Sequence, residues 1–521
     1  MGDEENTPNN WELVQVGDIA DLLRGVSYKK SDASSQPKQN KIPILRGNNI
    51  QAGKLITDDL VYVPVERVSS DQMMSTRDVV LTMSSGSADL VGKAALNMDG
   101  FHGSFGAFCG VLRAYSAVSE KYLYYFLSSR EFKKQVLASS KGTNINNLKR
   151  DHILGAGMPL APSAEQRRIV AKIEELFSEL DKGVESLITA RAQLKTYRQS
   201  LLKAAFEGRL TEQWRRDNAD KLETADQLLQ RIREEREARH QEQLGEWKVA
   251  VENWEAGSRE EKRPVRPSKP KYLPPPRMSN QLGLPSGWSL ETLGNVTYKI
   301  GDVDHKMPNS TERGVPYLST ANLREDGSID FDGAKKISQS DFERLAAKIK
   351  PEKGDIIFPR YGTIGRNCLV VTEQEFLVSY SCAIVKNLSE MAPKYVYYFT
   401  LSPWVKKEID KYAHETTQKN VGIASIGKFE FPLCTLAEQE QIVRQIESGI
   451  SSLSQLEEEL EDSLQRAELL RQSILKRAFE GKLVPQDPDE EPASALLERI
   501  RQEQADAPKP KRRQRKARAS A

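Results

Sequence analysis

The stretch RQSLLKAAFEGRL at residues 198–210 returns almost unchanged as RQSILKRAFEGKL at residues 471–483, a displacement of 273 positions. The same displacement pairs Glu165, Gln166, Ile169, Val170 and Ile173 with Glu438, Gln439, Ile442, Val443 and Ile446. It carries YLYYFLSS (122–129) onto YVYYFTLS (395–402), and Pro43, Asn49, Cys109 and Pro159 onto Pro316, Asn322, Cys382 and Pro432. A displacement of 277 pairs Trp11, Leu13 and Gly17 with Trp288, Leu290 and Gly294, as loops of different length would produce. Near-identity over thirteen residues at a shared offset does not arise by chance, so the chain is a tandem duplication.

Each half begins with short β-type runs separated by turns: IPILRGNNI, DVVLTM and FCGVLRA in the first, VPYLST, GDIIFP and CAIVKN in the second. A helical stretch follows in each (119–137 and 392–412), and the two regions read as small α+β globules. A long helix comes next. Ile169, Ile173, Leu176, Leu180, Val184, Leu187, Leu194 and Leu201 recur at intervals of three, four or seven, and so do Ile442, Ile446, Ile450, Leu453, Leu460, Ala467 and Ile474. Ser163 with Gln166, and Thr435 with Glu438, have capping-box spacing, one position apart in register between the copies; Gly208 and Gly481 stand where a left-handed residue ends a helix. From Glu165 to Glu207 such a helix runs about 65 Å. A rod of that length with one apolar stripe must bury the stripe, and the equally patterned partner in this chain is the other copy. The expected fold is therefore α+β: two tandem globules separated by two long antiparallel coiled-coil helices, related by a pseudo-two-fold.

A third pairing, ADQLLQRIREERE (225–237) with ASALLERIRQEQ (493–504), gives each long helix a short helical appendix. Residues 255–285, with KRPVRPSKPKYLPPPR inside them, read as an extended Pro-rich connector. An SH3-type ligand is the alternative reading of PPPR.

The 521 residues exceed what one core supports. Hydrophobic residues are 38% and charged residues 29%, with no apolar run approaching 18 residues and an acidic, polar N-terminus unlike a signal peptide, so a cytoplasmic, non-membrane protein is expected. The four cysteines and five histidines form no CxxC, HxxxH or HxxH, which leaves no disulfide or metal signature. The net charge is +2, but seven Lys and Arg lie between Lys509 and Arg518, leaving everything before that tail at about −5. Affinity for nucleic acid must then be local. GSADLVGK (86–93) fails as a phosphate loop, because its glycines are one residue too far apart and Ala94 replaces the Ser or Thr that holds magnesium. GxGxxG, GxSxG, HExxH and (D/N)PP(Y/F) are all missing, so no catalytic residue is assigned.

Two copies of one globule at a fixed separation suit the reading of two separated sites, and DNA is a natural ruler for them. The globules diverge between their anchor motifs, so a bipartite, asymmetric target follows. These residues resemble the specificity (S) subunits of type I restriction-modification enzymes. The resemblance covers nearly the whole chain: two variable recognition regions, each followed by a helix opened by Ala164, Glu165 and Gln166 (Ala437, Glu438 and Gln439) and closed by Ala205, Phe206 and Gly208 (Ala478, Phe479 and Gly481). The insertion at about 212–285 and the basic tail after Pro508 depart from the compact family pattern. The resemblance implies the following division: 1–162, target-recognition domain 1; 163–212, first long helix; 213–285, helical extension and Pro-rich linker; 286–435, target-recognition domain 2; 436–484, second long helix; 485–521, short helix and basic disordered tail. It also implies double-stranded DNA, two modification (M) subunits and restriction (R) subunits as partners. The complex would methylate adenine N6 and cleave DNA with ATP. S-adenosylmethionine would sit on M, ATP and magnesium on R, and no cofactor or active site on this chain.

Base edges are read by Arg, Lys, Asn, Gln, Ser and Thr from loops. In the first globule the candidates are Lys29, Lys30, Arg46, Asn48, Asn49, Ser84, Ser85, Ser87 and the loop residues Lys141, Thr143, Asn144, Asn146 and Asn147. In the second they are Thr320, Asn322, Arg360, Tyr361, Thr363, Thr416, Thr417, Gln418, Lys419 and Asn420. Asn49 and Asn322, shared by both copies, could equally be structural, since residues that specify different bases should differ. Glu165, Gln166, Glu438 and Gln439 read as helix starts first and partner contacts second, and Phe206 and Phe479 as bundle packing. The competing readings are a noncatalytic coiled-coil scaffold that binds protein and, from scattered acids such as Glu352 and Asp355, a nuclease.

Overall fold

A computed structural model describes residues 8–86, 90–138, 147–257, 263–276, 283–413 and 420–506. The chain forms two compact units, one of residues 1–188 with 461–521 and one of residues 189–460.

In the first unit β1 (Glu12–Gln15) leads into β2 (Ala20–Arg24), β3 (Lys41–Leu45), β4 (Val61–Pro64), β5 (Val79–Thr82), β6 (Ala94–Leu96), β7 (Ser104–Phe105) and β8 (Cys109–Ala114). A four-stranded antiparallel sheet has the order β2-β8-β5-β6, and β3 is flanked by β4 and, in parallel, β7. All four residues of β5 are buried, which is why DVVLTM reads as an unbroken apolar run rather than an alternating one. Helices α1 (Glu120–Leu127) and α2 (Arg130–Ala138) follow, then β9 (Gly157–Leu160), which returns to pair antiparallel with β1. The long helix α3 covers Ser163–Phe206.

The second unit repeats the plan after α4 (Ala225–Ala256): β10 (Ser289–Thr292), β11 (Lys299–Gly301), β12 (Val315–Leu318), β13 (Lys335–Ile337), β14 (Ile356–Pro359), β15 (Cys368–Leu369), β16 (Leu377–Val378) and β17 (Cys382–Lys386). The sheet orders β11-β17-β14-β15 and β13-β12-β16, with β12 and β16 parallel, match the first unit strand for strand. Helices α5 (Pro393–Thr400) and α6 (Pro403–Tyr412) and strand β18 (Glu430–Leu433), paired with β10, precede the second long helix α7 (Leu436–Phe479). The C-terminal helix α8 is Ala493–Asp506.

Both long helices have 44 residues and begin and end at positions 273 apart. Within each unit they run antiparallel. From Arg168 to Asp181 on α3 the partners fall from Glu490 to Arg471, and from Arg198 to Leu201 they fall from Glu457 to Gly449. Leu201 lies so close over Gly449 that a Cβ there would stand 2.7 Å from its Cδ2, which explains a glycine inside a helix. Burial along the seam is uneven. Ile169 and Ile173 are fully buried at one end of α3, and Leu202, Ala205 and Phe206 at the other, whereas Leu180, Val184, Leu187 and Leu194 are only half-covered.

Two expectations need correction. The capping boxes do not form. Thr435 Oγ1 accepts the Glu438 N–H, but the Glu438 side chain points elsewhere, and Ser163 is already inside α3, its place in the duplication taken by Pro162. The offset in register between the two caps therefore disappears. The appendix α4 is 32 residues long against 14 for α8, because no proline interrupts 238–256 and His240 and Val251 continue its buried face. The Pro-rich connector is held to its unit at two points: Trp247 Nε1 donates to the Pro264 carbonyl, and Leu273 exchanges two hydrogen bonds with the Asn295 side chain.

Candidate nucleic-acid interface

The glutamates that open the long helices hold each globule to its scaffold. In the first unit the buried Glu165 accepts from Trp11 Nε1 at 2.9 Å and from Gln486, and Gln166 bridges the Ser119 N–H and the Ala161 carbonyl. In the second, Glu438 accepts from Trp288 Nε1 at 2.9 Å, from Thr211 at 2.7 Å and from Arg215, and Gln439 bridges the Ala392 N–H and the Cys434 carbonyl. These four side chains lie in the first turns of the long helices, as their spacing suggests, but they are buried and bond to the globule and its flanking segments rather than capping the helix. Burial pushes the Glu165 carboxyl above its usual range, its neighbours Trp11 and Gln486 being neutral.

The AFxG ends are equally paired. Phe479 packs its ring at 5.1 Å from Tyr122 and 5.3 Å from Phe126, and Phe206 sits at 5.1 Å from Tyr395 and 5.5 Å from Phe399. The hydroxyls of Tyr122 and Tyr395 donate to the Pro159 and Pro432 carbonyls. Gly208 and Gly481 have φ of +71° and +68°, and each is followed by the 6→1 hydrogen bond of a Schellman motif, from Arg209 to Ala204 and from Lys482 to Arg477. A Cβ on either glycine would stand 2.3 Å from a proline Cγ, that of Pro285 or Pro8, three residues before the clamped tryptophan.

This shared frame leaves an open cleft in the first globule. It has a volume of about 940 Å³ and brings together Lys30, Arg46, Asn48, Ser84 and Ser85 from three separate loops, with Tyr28, Asp59 and Phe108. Val26 and Gly106, joined by a parallel β-bridge, are also part of its lining. Arg46 pairs with Asp59 at 2.7 Å, Asn48 donates to the same carboxylate at 3.2 Å, and Arg46 Nε is buried with no acceptor. Burial raises the Tyr28 hydroxyl, so it stays a donor at neutral pH. Phe108 is 69% exposed, an aromatic face beside a cation and amides. Lys29 is exposed next to Lys30 but is not part of the lining. Ser84 is bridged to Asn147, and Ser69–Gln72 and the Asp32–Arg67 pair brace the neighbouring turns.

The corresponding loops of the second globule carry different chemistry. Tyr361, bridged to Asn420, takes the place of Ser84 bridged to Asn147. His305, at the position of Tyr28, stacks on Tyr380 at 4.7 Å, and Tyr361 meets Tyr380 edge-on at 6.4 Å. Ser319 replaces Arg46 and caps the one-turn helix Thr320–Asn322, where Thr320 is half-exposed. Beneath this aromatic group lies a buried ion pair between Arg360 and Asp302 at 3.0 Å, joined by Lys348 at 3.0 Å. Burial alone would raise Asp302, but Lys348 and Arg360 overcome it and hold the carboxyl below its usual range.

Three candidates are thereby turned inward. Arg360 is buried, its guanidinium donating to Asp302 and to the Tyr380 carbonyl. Asn49 is buried, accepting from the Arg46 N–H and donating to the Ile56 and Asp59 carbonyls. Asn322 does the same with the Ser319 N–H and the Asp330 carbonyl. The Thr363 hydroxyl is also buried, without a hydrogen-bond partner. Ser87, Lys141, Thr143, Asn144, Asn146, Thr416, Thr417, Gln418 and Lys419 lie outside the described residues. Sequence reasoning passed over Tyr28, Asp59, Phe108, His305 and Tyr380. The available signal for Phe108 and Tyr380 was their place beside the duplicated Cys109 and Cys382, where the copies cease to match.

Among the described residues no group of three His, Cys, Asp or Glu could hold a metal ion, and no helix is long and apolar enough to cross a membrane. Cys109, Cys368 and Cys382 are buried thiols pushed up to about 12 by that burial, and burial raises Cys434 as well.

A shared frame carrying two chemically different sets of loops, the first of which lines an open cleft, defines a duplicated recognition protein. Comparison with known proteins makes the class specific: residues 8–190 and 286–466 match the family described as type I restriction modification DNA specificity domain. The chain belongs to that family. It is 29% identical to the EcoKI specificity subunit of Escherichia coli K12 over 96% of both chains, and 29% identical to the StySPI specificity subunit of Salmonella potsdam over 96% of both. A chain of a type I restriction-modification system, solved for its complex assembly and conformational transition, shares the fold with a TM-score of 0.57 at 16% identity, covering 91% of this chain and 99% of that one.

Proposed function

We propose that each cleft reads one half of a split, asymmetric DNA target, that the long helices set the gap between the halves, and that chemistry on the DNA belongs to partner subunits. The observation that carries this reading is the contrast between frame and cleft. Trp11/Trp288, Asn49/Asn322, Tyr122/Tyr395, Glu165/Glu438 and Phe206/Phe479 are identical between the copies, whereas Tyr28/His305, Arg46/Ser319, Ser84/Tyr361, Ala107/Tyr380 and Phe108/Ser381 are not. Selection for one common ligand would preserve the clefts as well. Two different half-sites require what is seen, with Arg, Asn and Ser offering donors and acceptors to base edges on one side and His, Tyr and Thr on the other.

The partners follow from the family and from the helices. In the first unit Ile188, Leu469 and Leu470 are exposed on α3 and α7, and in the second Tyr197 and Leu456 are. With the half-covered middle of the stripe, these apolar groups suit packing against further helices, as two modification subunits would supply. Those subunits would bring S-adenosylmethionine for adenine N6 methylation, and restriction subunits would bring ATP and magnesium for cleavage. This chain contributes no catalytic group and works in the cytoplasm, where the DNA is. The scaffold alternative accounts for the helices but gives no reason for two unlike sets of polar and aromatic loop residues. The test is coexpression with the cognate modification subunit and genome-wide mapping of N6-methyladenine. One bipartite asymmetric motif is expected; a well-formed complex that leaves the genome unmethylated would overturn the proposal.

A further inference from the structure

The insertion that departs from the compact family pattern carries a surface of its own. Along residues 263–276 burial repeats every three residues: Pro264, Pro267, Pro270, Leu273 and Pro276 are half-buried, and every residue between them is exposed. A period of three is that of polyproline II, which the fixed φ of proline and its restriction of the preceding residue both favour. One edge of this strap therefore faces the protein. Its carbonyls at Pro264 and Lys271 accept from Trp247 Nε1 at 3.0 Å and from the buried Arg236 at 3.1 Å, and Leu273 is held at both backbone atoms by Asn295. Tyr272 lies against Arg236 at 4.7 Å, and Arg266 lies over Trp247 at 5.8 Å.

The same period places Arg263, Arg266 and Lys269 on one outward edge, and Lys271 is exposed on another. The strap from 263 to 276 contains no Asp or Glu. Among the described residues its one ion pair is a loose contact of 3.5 Å between Arg263 and Glu255. Pro264, Pro267, Pro270 and Pro276 form the inward edge, whereas Pro274 and Pro275 of the PPPR run are exposed and its Arg277 lies outside the described residues. The outward edge is a row of cations about 9 Å apart, three residues at roughly 3.1 Å each, on a pre-extended backbone. That is a fitting surface for a regular polyanion, because Arg and Lys stems adjust to phosphate positions while the strap has little conformational entropy left to lose.

We propose that this strap is a rail for DNA phosphates, adding sequence-independent affinity in a chain whose charge is otherwise balanced. The proposal rests on the DNA-reading function above. It is tested with the full-length chain on a duplex of about 40 base pairs of arbitrary sequence, titrated at a series of salt concentrations. Each phosphate neutralised contributes about 0.9 to the slope of log K against log salt. The variant R263Q/R266Q/K269Q should flatten that slope by about 2 to 3 and weaken binding at low salt about tenfold or more, and R263K/R266K/K269R should keep the wild-type slope. Wild-type binding with an unchanged slope in the Gln variant overturns the rail alone, and a chain that binds no duplex overturns the DNA reading with it. Loss of copurifying modification subunit at unchanged slope assigns the strap to a protein partner and also overturns the rail.

Discussion

Two glutamates at equivalent positions, doing the same task with different neighbours, predict unequal consequences of the same substitution. Glu438 faces Arg215, whereas the carboxylate of Glu165 is met by an indole N–H and an amide. Replacing Glu438 by Gln leaves a mostly buried guanidinium without its counter-charge, at a cost of about 2 to 4 kcal/mol, whereas Glu165→Gln keeps an acceptor for Trp11 and should cost under about 1 kcal/mol. Hydrogen exchange at Trp288 and at Trp11 measures each unit separately, and equal loosening of both would contradict the argument. The pH dependence has a definite sign. Because burial raises Glu165 in the folded state, the native protein holds that proton more tightly than the unfolded chain. The penalty for ionising it is absent below the unfolded value near 4.5 and grows as pH rises through the higher folded value. Glu165→Gln should therefore gain stability relative to wild type between pH 4 and pH 7, as read from denaturation midpoints at each pH. In the clefts, Arg46→Ala and Phe108→Ala should relax only the first half of the methylated motif and Tyr361→Ala only the second, each by about 1 to 3 kcal/mol of discrimination. Relaxation of both halves by any one of them would show that the clefts do not read separately.

The elements were legible in proportion to how local their causes are. The 273-residue repeat disclosed both long helices and their glycine ends, and the runs IPILRGNNI, DVVLTM and FCGVLRA overlap β3, β5 and β8. What pattern could not disclose was where a side chain spends its hydrogen bonds. Ser/Thr-x-x-Glu/Gln has the spacing of a capping box, but Trp288, 150 residues away in sequence, takes Glu438, and Ser119 and Ala161 take Gln166. RGNN and PRYGT look like base-reading loops, yet Asn49, Asn322 and Arg360 fold back to hold the loops that carry Arg46, Thr320 and Tyr361. The helices have a testable part of their own. If α3 and α7 are the ruler, one heptad added to both, in register, should lengthen the gap in the methylated motif by no more than about three base pairs, since seven residues add about 10.5 Å. Neither half of the motif should change. A gap that stays constant would mean that something else sets the spacing.

At the scale of the whole chain, duplication separates what must be constant from what can vary. The central contacts that tie the first globule to its unit recur in the other copy: Trp11 to Glu165, Tyr122 and Phe126 to Phe479, and the backbone bond of Asn10 to Ala493, which Gly287 and Ala225 match. The cleft of Lys30, Arg46, Asn48, Ser84 and Phe108 touches none of these. A globule can therefore be replaced without disturbing its seat, provided the incoming sequence keeps the tryptophan, the YxxxF helix and the strand that pairs with β1. Exchanging residues 11–162 for the corresponding segment of a relative with another specificity should yield a folded, methylation-competent subunit. Its target should keep one half and the gap and change only the other half, as read by mapping N6-methyladenine in cells carrying the hybrid. A change in both halves would mean that the two clefts are coupled through the frame, and the contrast between constant frame and variable cleft would then need another cause.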